Sequence, residues 1–336
     1  MLIAGDIGGT KTDLAIYSAE SGPRAPLAQT EVRSGDYDSL QAIVGEFLAK
    51  VEIPVDVASF AVAGPVIAGH VKTTNLPWVM DEDTLARDLK LRAAHLMNDL
   101  EAVARSVPVL QAADLVTLNE GEPVATGPIA VVAPGTGLGE SFLTWNGSQY
   151  DAHSSEGGHS DFAPTDQRQI QLLKYLLQRF DHVGVERVCS GVGVPNIYEY
   201  LRDEERIPEL PDVARAIESA KDRTKAIIGA GTDPHNASAV CRATVDLLVS
   251  ILASEAGNLF LKVFATGGVY ITGGIALHVL SALQEPQFVE TFANKGRFKD
   301  LMKRVPVHVI TARAALIGAA AYGLESVNRS LGAIQA

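Results

Sequence analysis

The stretch LIAGDIGGTKTDLAIYS, residues 2–18, decides the fold of this chain. Two apolar runs that favour β-strands, Leu2–Gly5 and Thr12–Ser18, lie on either side of a glycine turn at residues 8–10. A Walker loop would place lysine directly after glycine, and a Rossmann loop would lead into a helix. Here Lys11 follows a threonine, and a strand follows the turn. The stretch therefore predicts a β-hairpin that is neither of the two common phosphate loops.

The turn of this hairpin can nevertheless bind phosphate. Gly8 and Gly9 lack Cβ atoms, so an anion can approach the backbone N–H groups. The hydroxyl of Thr10 and the amine of Lys11 add two further donors. Asp6, at the end of the first strand, would repel a phosphate, so we expect it to face the phosphates through a Mg²⁺ ion. A plain hairpin turn without a ligand is the alternative.

A second segment, IAVVAPGTGLGESFLTW at residues 129–145, repeats the strand, turn and strand pattern. Its turn consists of Gly135, Thr136 and Gly137, and it again leads into a strand rather than a helix. Two such turns in corresponding places of two domains could hold a phosphate chain from two sides. The pair therefore predicts a two-lobed clamp that closes and excludes water.

The longest run without Asp, Glu, Lys or Arg is Val263–Gln284, which has the length of a membrane span. Two glycine pairs interrupt it, Gly267-Gly268 and Gly273-Gly274, so we expect a buried strand that leads into a helix. Gly273 and Gly274 would let the flat adenine of a nucleotide approach the backbone. Close packing of the strand against the helix is the alternative explanation of this second pair.

Composition argues against several classes of function. The chain has 336 residues, of which 47% are apolar and 20% charged, which is enough for two domains with sizeable cores. The net charge of −12, without any basic run, argues against a nucleic acid or an anionic membrane as partner. Cys189 and Cys241 are too few for a disulfide framework, and the chain opens without a signal-peptide pattern. We therefore expect a cytoplasmic protein.

Strand and helix patterns alternate before the second turn. The predicted elements are a strand at Ala28–Arg33, a helix at Ser39–Lys50, a buried strand at Val55–Pro65 and a helix from Met80. A further short strand, AHLMND, would carry Asn98 and Asp99 at its carboxyl end. A polar stretch at Leu118–Pro128 precedes the second pattern, so we expect a domain boundary near residue 110.

The motifs DIGGTKT, APGTGLGE, EGGHSDFAP, ERVCSG and GGVYITGGIA occur in the order and spacing of one known family. From residue 2 to about residue 325 the chain resembles the bacterial glucokinases of the non-ROK group, within the actin/hexokinase/Hsp70 ATPase superfamily. The zinc-binding cysteine cluster of ROK sugar kinases is missing. The resemblance implies two ribonuclease-H-like α/β domains with mixed sheets flanked by helices and an active-site cleft between them. It implies a small domain at residues 1–110, joined by a C-terminal helix at about 316–330, and a large domain at 111–315.

The resemblance also implies roles for individual residues. Asp99 corresponds to the catalytic base that receives the proton of the sugar 6-hydroxyl, although an aspartate here could instead cap the following helix. The positions that correspond to sugar contacts are Asn75, Asn98, Glu156, His159 and Glu186. Other readings stay open for them: zinc ligation by His159, a surface position for Glu186, and a loop around Asn75 that buries Trp78 in the core. Glu140 departs from expectation, because it places a negative charge next to the second phosphate turn.

The implied activity is phosphorylation of D-glucose by Mg·ATP at the 6-hydroxyl, which gives glucose 6-phosphate and ADP. The resemblance further implies a homodimer. A kinase of another hexose, such as mannose or fructose, would share every phosphate motif, and the glycine turns alone do not distinguish ATP from ADP or polyphosphate as donor. A sugar-sensing module without catalysis is a third alternative, against which stands Asp99.

Overall fold

The computed structural model describes residues 1–73, 76–233 and 238–335, and it places the N-terminal hairpin in the middle of a five-stranded sheet. The strands, in chain order, are β1 (Leu2–Ile7), β2 (Lys11–Tyr17), β3 (Ala28–Arg33), β4 (Val57–Val62), β5 (His70–Lys72), β6 (Val79–Asp81), β7 (Ala93–Asn98), β8 (Leu115–Asn119), β9 (Ile129–Pro134), β10 (Leu138–Trp145), β11 (Tyr150–Ser155), β12 (Gly268–Ile271) and β13 (Val307–Ile310). The first sheet has the order β3-β2-β1-β4-β7. Strand β1 is antiparallel to β2 and parallel to β4, so the mixed sheet that the family resemblance implies is confirmed.

Helices alternate with these strands. In chain order they are α1 (Leu40–Val51), α2 (Glu82–Asp88), α3 (Asp99–Ser106), α4 (Gln167–Leu176), α5 (Gly193–Asp203), α6 (Pro211–Ser219), α7 (Arg223–Thr232), α8 (Ala239–Val263), α9 (Gly274–His278), α10 (Leu280–Leu283), α11 (Pro286–Ala293), α12 (Lys299–Met302) and α13 (Ala314–Gln335). Side-chain caps explain where the early helices begin. Ser39 accepts a hydrogen bond from the backbone of Ala42 before α1, and Asp81 does so from Thr84 before α2.

The chain divides into two units by its contacts. The first unit comprises Met1–Ala112, Gln149–Ser154 and Ala312–Ala336, and the second comprises Ala113–Ser148 and Ser155–Thr311.

Alternation along β1 explains how the first unit builds a core on both faces of its sheet. Ile3 and Ile7 point to one face, where they belong to the same buried cluster as Phe47 of α1. Leu2 and Ala4 point to the other face and join the cluster that contains residues of α13. All four β1 side chains are at most 1% exposed, so the strand is anchored by burial on both sides.

Small residues let helices α3 and α13 pack backbone to backbone. A Cβ added to Gly318 of α13 would collide with the carbonyl oxygen of Ala102 in α3. A Cβ added to Gly323 would lie 2.5 Å from a methyl carbon of Leu2 in β1. The two glycines thus set how closely the C-terminal helix approaches the rest of the first unit.

We expect Gly318→Ala to lower the free energy of unfolding by about 1–3 kcal/mol, because the added methyl group must push α13 away from α3. Gly45→Ala is the matched control: Gly45 is exposed within α1, and an added Cβ there meets no atom within 4 Å. That control should be neutral or stabilise by up to about 1 kcal/mol. Thermal and urea unfolding of the two variants measure both effects. Equal melting temperatures for wild type and Gly318→Ala would contradict the packing argument.

The second sheet has the strand order β11-β10-β9-β12-β13-β8. Strands β9, β12 and β13 are parallel, while β10 and β8 run antiparallel to their neighbours. Helix α8 packs in the centre of the second unit, and many of its apolar side chains are buried there, among them Leu248, Leu252 and Phe260. The turn between β9 and β10 therefore projects from a sheet with a large core.

Helix α8 is also long and apolar enough to cross a membrane by length and composition alone. Its most apolar window is 78% buried within the protein, which is typical of a core helix. The charge-free run Val263–Gln284 forms the end of α8, then β12, then α9 and α10. The expectation of a buried strand that leads into a helix is confirmed for this run.

Candidate active site

Three parallel strands of the first unit end at one edge of the sheet. Asp6 lies near the end of β1, and Asp99 directly follows the end of β7, with β4 between the two strands. Burial and the negative charges of Asp99 and Asp13 raise the pKa of Asp6 to about 7, although Arg313 opposes the shift. This edge of the sheet therefore carries more negative charge than the neighbouring cation neutralises.

Asn98, and not Asp99, caps helix α3. The Asn98 side-chain oxygen accepts hydrogen bonds from the backbone of Leu100 at 2.9 Å and Glu101 at 3.3 Å, and its amide group donates to the carbonyl of Gly64 at 3.1 Å. Asp99 accepts from Leu100 N at 2.8 Å. Burial raises the pKa of Asp99, while hydrogen bonds from the backbone and from the Asn98 side chain lower it. The cap holds Asp99 at the first position of the helix and leaves one N–H of the Asn98 amide free to donate.

The first glycine turn is supported from below by a buried serine. Gly8 N donates to Lys11 O at 2.9 Å, which closes the turn. Ser34, which is fully buried, donates through Oγ to Gly8 O at 2.7 Å and through its backbone to Thr10 O at 3.1 Å. Nothing local in the sequence points to Ser34, because its partners lie more than twenty residues earlier. Gly9 lies half-buried and Thr10 exposed at the tip of the turn.

Lys11 is turned toward a neighbouring strand in this structure. Its amine lies 2.5 Å from the carboxylate of Glu31 on β3 and is largely exposed. Arg313 bridges Asp13 at 2.7 Å and Glu31 at 3.2 Å on the same side of the hairpin. Two cations and two carboxylates thus alternate beside the first turn, an arrangement that the local sequence pattern does not indicate.

The second glycine turn, Gly135 to Gly137, lies in the second unit and is held by the ERVCSG motif. Gly135 N donates to Gly137 O at 2.8 Å, and Gly191 N donates to Gly135 O at the same distance. Thr136 is exposed at the tip, and its carbonyl accepts from Val192 N at 3.3 Å. A Cβ on Gly191 would lie 3.1 Å from Gly135 O, so glycine is favoured there. The ERVCSG motif and the residue after it therefore hold the second turn through backbone hydrogen bonds.

Glu186 joins the predicted sugar-binding and phosphate-binding elements of the second unit. One carboxylate oxygen, Oε2, accepts from Leu138 N at 3.1 Å, directly after the second turn. A Cβ on Gly137 would collide with the same oxygen. The half-buried Glu186 thereby packs against the turn, and its Oε1 atom keeps the capacity to accept a further hydrogen bond.

The EGGH motif forms a tight 3₁₀ turn next to Glu186. Glu156 precedes the turn, and His159 ends it, with side chains 87% and 65% exposed. The His159 Nε2 atom lies 3.9 Å from Glu156 Oε2. Val185 N donates to Ser160 O at 2.9 Å, which ties the turn to the segment that carries Glu186. The structure thus brings Glu156, His159 and Glu186 together on one surface.

The side chain of Glu140 is buried and points away from the solvent. This orientation is expected if phosphates bind at the second turn, because an exposed carboxylate there would repel them. The residue is 1% exposed, and among the described residues neither carboxyl oxygen has a hydrogen-bond partner. Burial and the neighbouring Glu255 raise the pKa of Glu140 to about 7, and Lys262 opposes the shift. The acidic side chain that the sequence places beside the second turn is therefore buried beneath the site rather than exposed to a nucleotide.

Gly273 and Gly274 differ in their surroundings. Gly273 has φ of +94°, and a Cβ there would lie 2.6 Å from Pro134 O, so this position needs glycine for packing and for its backbone conformation. Gly274 begins α9, and an added Cβ meets no atom within 4 Å. Close packing therefore explains Gly273, while Gly274 has open space beside it.

Asn75 and a Mg²⁺ ion at Asp6 are two further expectations from the sequence. Asn75 lies outside the described residues, whereas Trp78, three positions later, is 4% exposed in the core. Within residues 1–73, 76–233 and 238–335, no group of three or more His, Cys, Asp or Glu side chains could hold a metal ion by itself. Any divalent cation at Asp6 would therefore need water or a substrate for most of its ligands.

Comparison with known proteins identifies what this chain is similar to. The model of the glucokinase family matches residues 3–326. A glucokinase of Trichormus variabilis is 40% identical over 334 residues, which cover 95% of this chain and 98% of the relative. The match thus extends over both units and includes every residue of the candidate site.

Solved structures agree on the fold. A glucokinase from an Antarctic psychrotroph superimposes with a TM-score of 0.83 at 32% identity, over 96% of this chain and 98% of the other. A ROK family glucokinase from Streptomyces griseus, solved in complex with glucose and AMPPNP, has a TM-score of 0.63 at 17% identity, over 96% of this chain and 99% of the other. At that identity the second likeness supports the fold alone.

Proposed function

Because the chain belongs to the glucokinase family, we propose a role in glucose phosphorylation for each group of residues in the candidate site. The enzyme transfers the terminal phosphoryl group of ATP to the 6-hydroxyl of D-glucose and forms glucose 6-phosphate and ADP. The observation that best supports these proposed roles is the position of Asp99. It is a half-buried carboxylate at the edge of the sheet where Asp6 lies near the end of β1.

Asp99 acts as the general base. The 6-hydroxyl of glucose donates to the Asp99 carboxylate and loses its proton as the oxygen attacks phosphorus. Burial raises the pKa of Asp99, and a more basic carboxylate accepts this proton more readily. The Asn98 cap and the hydrogen bond from Leu100 N fix the direction of the carboxylate before the sugar arrives.

Glucose is recognised through its hydroxyl groups by Asn98, Glu156, His159 and Glu186. Asn98 contributes its remaining amide N–H, and Glu186 contributes the oxygen that Leu138 does not use. Glu156 and His159 are open to solvent and can exchange water for sugar hydroxyls without breaking internal hydrogen bonds. A site of this kind leaves polar groups unpaired with a wrong sugar, which supports discrimination by up to about 10⁴-fold.

The two glycine turns bind the phosphates of ATP. Gly8, Gly9 and Thr10 supply backbone and hydroxyl donors from the first unit, and Gly135 to Gly137 supply them from the second. Lys11 reaches the phosphates by leaving Glu31, since its exposed ion pair costs little to break. Gly274 offers open space for the adenine, next to the glycine that packs on Pro134.

Asp6 fits a role in orienting Mg²⁺ through water. Burial, and then the negative charges of Asp99 and Asp13, raise the pKa of Asp6, and a divalent cation would neutralise these charges. Few side chains among the described residues could ligate an ion there, which suits Mg²⁺, because this ion keeps several waters and binds substrate phosphates. When bound, the ion supplies charge neutralisation for the phosphoryl group; the chain's own part is to hold the Asp6 carboxylate toward it.

We further propose that the enzyme is a cytoplasmic homodimer whose two units are its small and large domains. The family resemblance supports the dimer, and light scattering after size-exclusion chromatography measures it directly.

A matrix of sugars and phosphoryl donors tests the substrate proposals. We expect the highest kcat/KM with glucose and ATP, with lower values for mannose and fructose and for ADP or polyphosphate. Wild type and Asp99→Asn are assayed in parallel, so that any contaminating kinase shows as activity that the substitution does not change. Higher kcat/KM for another hexose, or sugar binding without phosphorylation by the wild type, would contradict the proposal.

A further inference from the structure

The buried carboxyl group of Glu140 lies directly beneath the turn that carries Glu156 and His159. A Cβ added to Gly157 would collide with Glu140 Oε2. The backbone of Gly157 is also held by Ser155, whose Oγ accepts from Gly157 N at 3.0 Å. The carboxyl group of Glu140 therefore packs directly against the backbone of this turn.

Glu255 of α8 is the acidic neighbour of Glu140, and its surroundings are different. It is 4% exposed, and it accepts hydrogen bonds from Asn258 Nδ2 at 2.9 Å and from Lys262 Nζ at 3.5 Å. A buried carboxylate is stable where donors surround it and costly where they are absent. Glu255 has such donors and Glu140 has none among the described residues, so the negative charge belongs on Glu255 and the proton on Glu140.

The charges around Glu140 come from every element packed near it. The titratable or charged side chains are Glu255 and Lys262 from α8, Lys295 after α11, Cys189 before α5, and Glu156 and His159 from the turn above. Lys295 is engaged by Asn258 Oδ1 at 2.7 Å and by the backbone of Ser254 at 2.9 Å, which directs its amine to α8 rather than to Glu140. The two lysines thus balance Glu255, and a second negative charge on Glu140 would lack a partner.

We propose that Glu140 is a positioning residue for sugar binding, and that its neutral acid form keeps the Glu156–His159 turn in the shape that binds glucose. Ionisation would place a second negative charge next to Glu255 in a site closed to water. The least costly relief is to displace the Gly157 backbone and admit water, which moves Glu156 and His159. Sugar binding and proton retention by Glu140 are then linked, so the affinity for glucose falls as Glu140 loses its proton. This inference rests on the proposed sugar-binding role of the turn.

The test measures glucose binding by titration calorimetry without nucleotide, from about pH 6 to about pH 9, for wild type and Glu140→Gln. In wild type we expect the Kd for glucose to rise above about pH 7, by at most about tenfold per pH unit. Glu140→Gln keeps the shape and neutrality of the acid, so its Kd should stay near the low-pH value of wild type throughout. Asp246→Asn, an exposed acid on the same helix as Glu255, is the matched control and should retain the wild-type profile.

Two further measurements separate the inference from a merely structural role. Wild type should take up protons when it binds glucose above about pH 7, seen as a binding heat that depends on the ionisation enthalpy of the buffer, and Glu140→Gln should take up fewer. Glu255→Gln removes the negative charge that raises the pKa of Glu140, so Glu140 should lose its proton more readily and the rise in Kd should move to lower pH.

The outcomes distinguish this inference from the proposed function. A Kd profile in Glu140→Gln that matches wild type, or weak binding by a folded Glu140→Gln at every pH, overturns the role of the neutral acid. If Glu140→Gln does not fold, the inference is decided by Glu255→Gln, and an unshifted profile there overturns it. If wild type shows the expected pH profile and both Glu156→Gln and His159→Ala lose glucose binding, the proposed sugar site is supported. If both variants bind glucose fully, that site is rejected.

Discussion

Replacing Asp99 with asparagine should lower kcat by about 10²- to 10⁴-fold while glucose still binds. Asparagine has the same shape, and its side-chain oxygen can still accept from Leu100 N, so the start of α3 is preserved. The amide cannot receive the proton of the 6-hydroxyl, and the transition state loses its general base. Steady-state kinetics with saturating glucose and Mg·ATP give kcat, and calorimetry gives the affinity for glucose.

A control from the same helix makes this result specific. Glu101→Gln removes the ion pair with Arg105, whose guanidinium lies 2.9 Å from Glu101, and should leave kcat near the wild-type value. In wild type, kcat should fall as the pH is lowered through the raised pKa of Asp99, because only the ionised carboxylate can accept a proton. Near-normal turnover by Asp99→Asn would remove Asp99 from the chemical step.

Replacing Asp6 with alanine should impair the use of Mg·ATP far more than the binding of sugar. We expect kcat/KM for Mg·ATP to fall by about 10²-fold or more, since the carboxylate that orients the ion is lost. The Kd for glucose without nucleotide should change by less than about twofold, because Asp6 is not among the proposed sugar contacts. Titration of Mg²⁺ at fixed ATP should show the deficit shrinking as the ion concentration rises.

Asp13→Asn is the control for the charge of this region. Asp13 also contributes negative charge near Asp6, but its carboxylate is bound by Arg313 at 2.7 Å. The loss of the Asp13 charge should therefore lower kcat/KM for Mg·ATP much less than the loss of Asp6 does. In wild type, the KM for Mg·ATP should decrease as the pH rises through about 7, because the ionised form of Asp6 is the one that attracts the ion. Equal losses of nucleotide use and glucose binding in Asp6→Ala would contradict the metal-facing role.

Much of the local structure was predictable because its signals lie close together in the chain. The hairpin at residues 2–17 follows from two apolar runs around a glycine turn, and β4 follows from a buried apolar run before a Gly-Pro pair. Helix α1 begins one residue after its serine cap, as the periodicity of its apolar residues indicates. The cap of α3 was less certain, since Asn98 and Asp99 are both good caps, and only the structure assigns the role to Asn98.

The supports of the site were not predictable from local patterns. Ser34 holds the first turn across 26 residues, and Gly191 holds the second from a separate motif. Lys11 looks like a phosphate ligand in the sequence, yet it lies on Glu31 because β2 and β3 pair side by side. These contacts depend on which strands and loops become neighbours, and a single sequence gives no direct measure of that.

Glu140 shows what the sequence determines and what only the tertiary structure determines. The sequence alone determined the glycine turns, the strands that lead into and out of them, and the order of motifs that identifies the family, because each depends on residues a few positions apart. It also placed an acid next to the second turn, but not the direction of its side chain. Only the tertiary structure decided that this acid is buried between Gly157 and Glu255, because burial and pKa depend on partners brought together from distant parts of the chain.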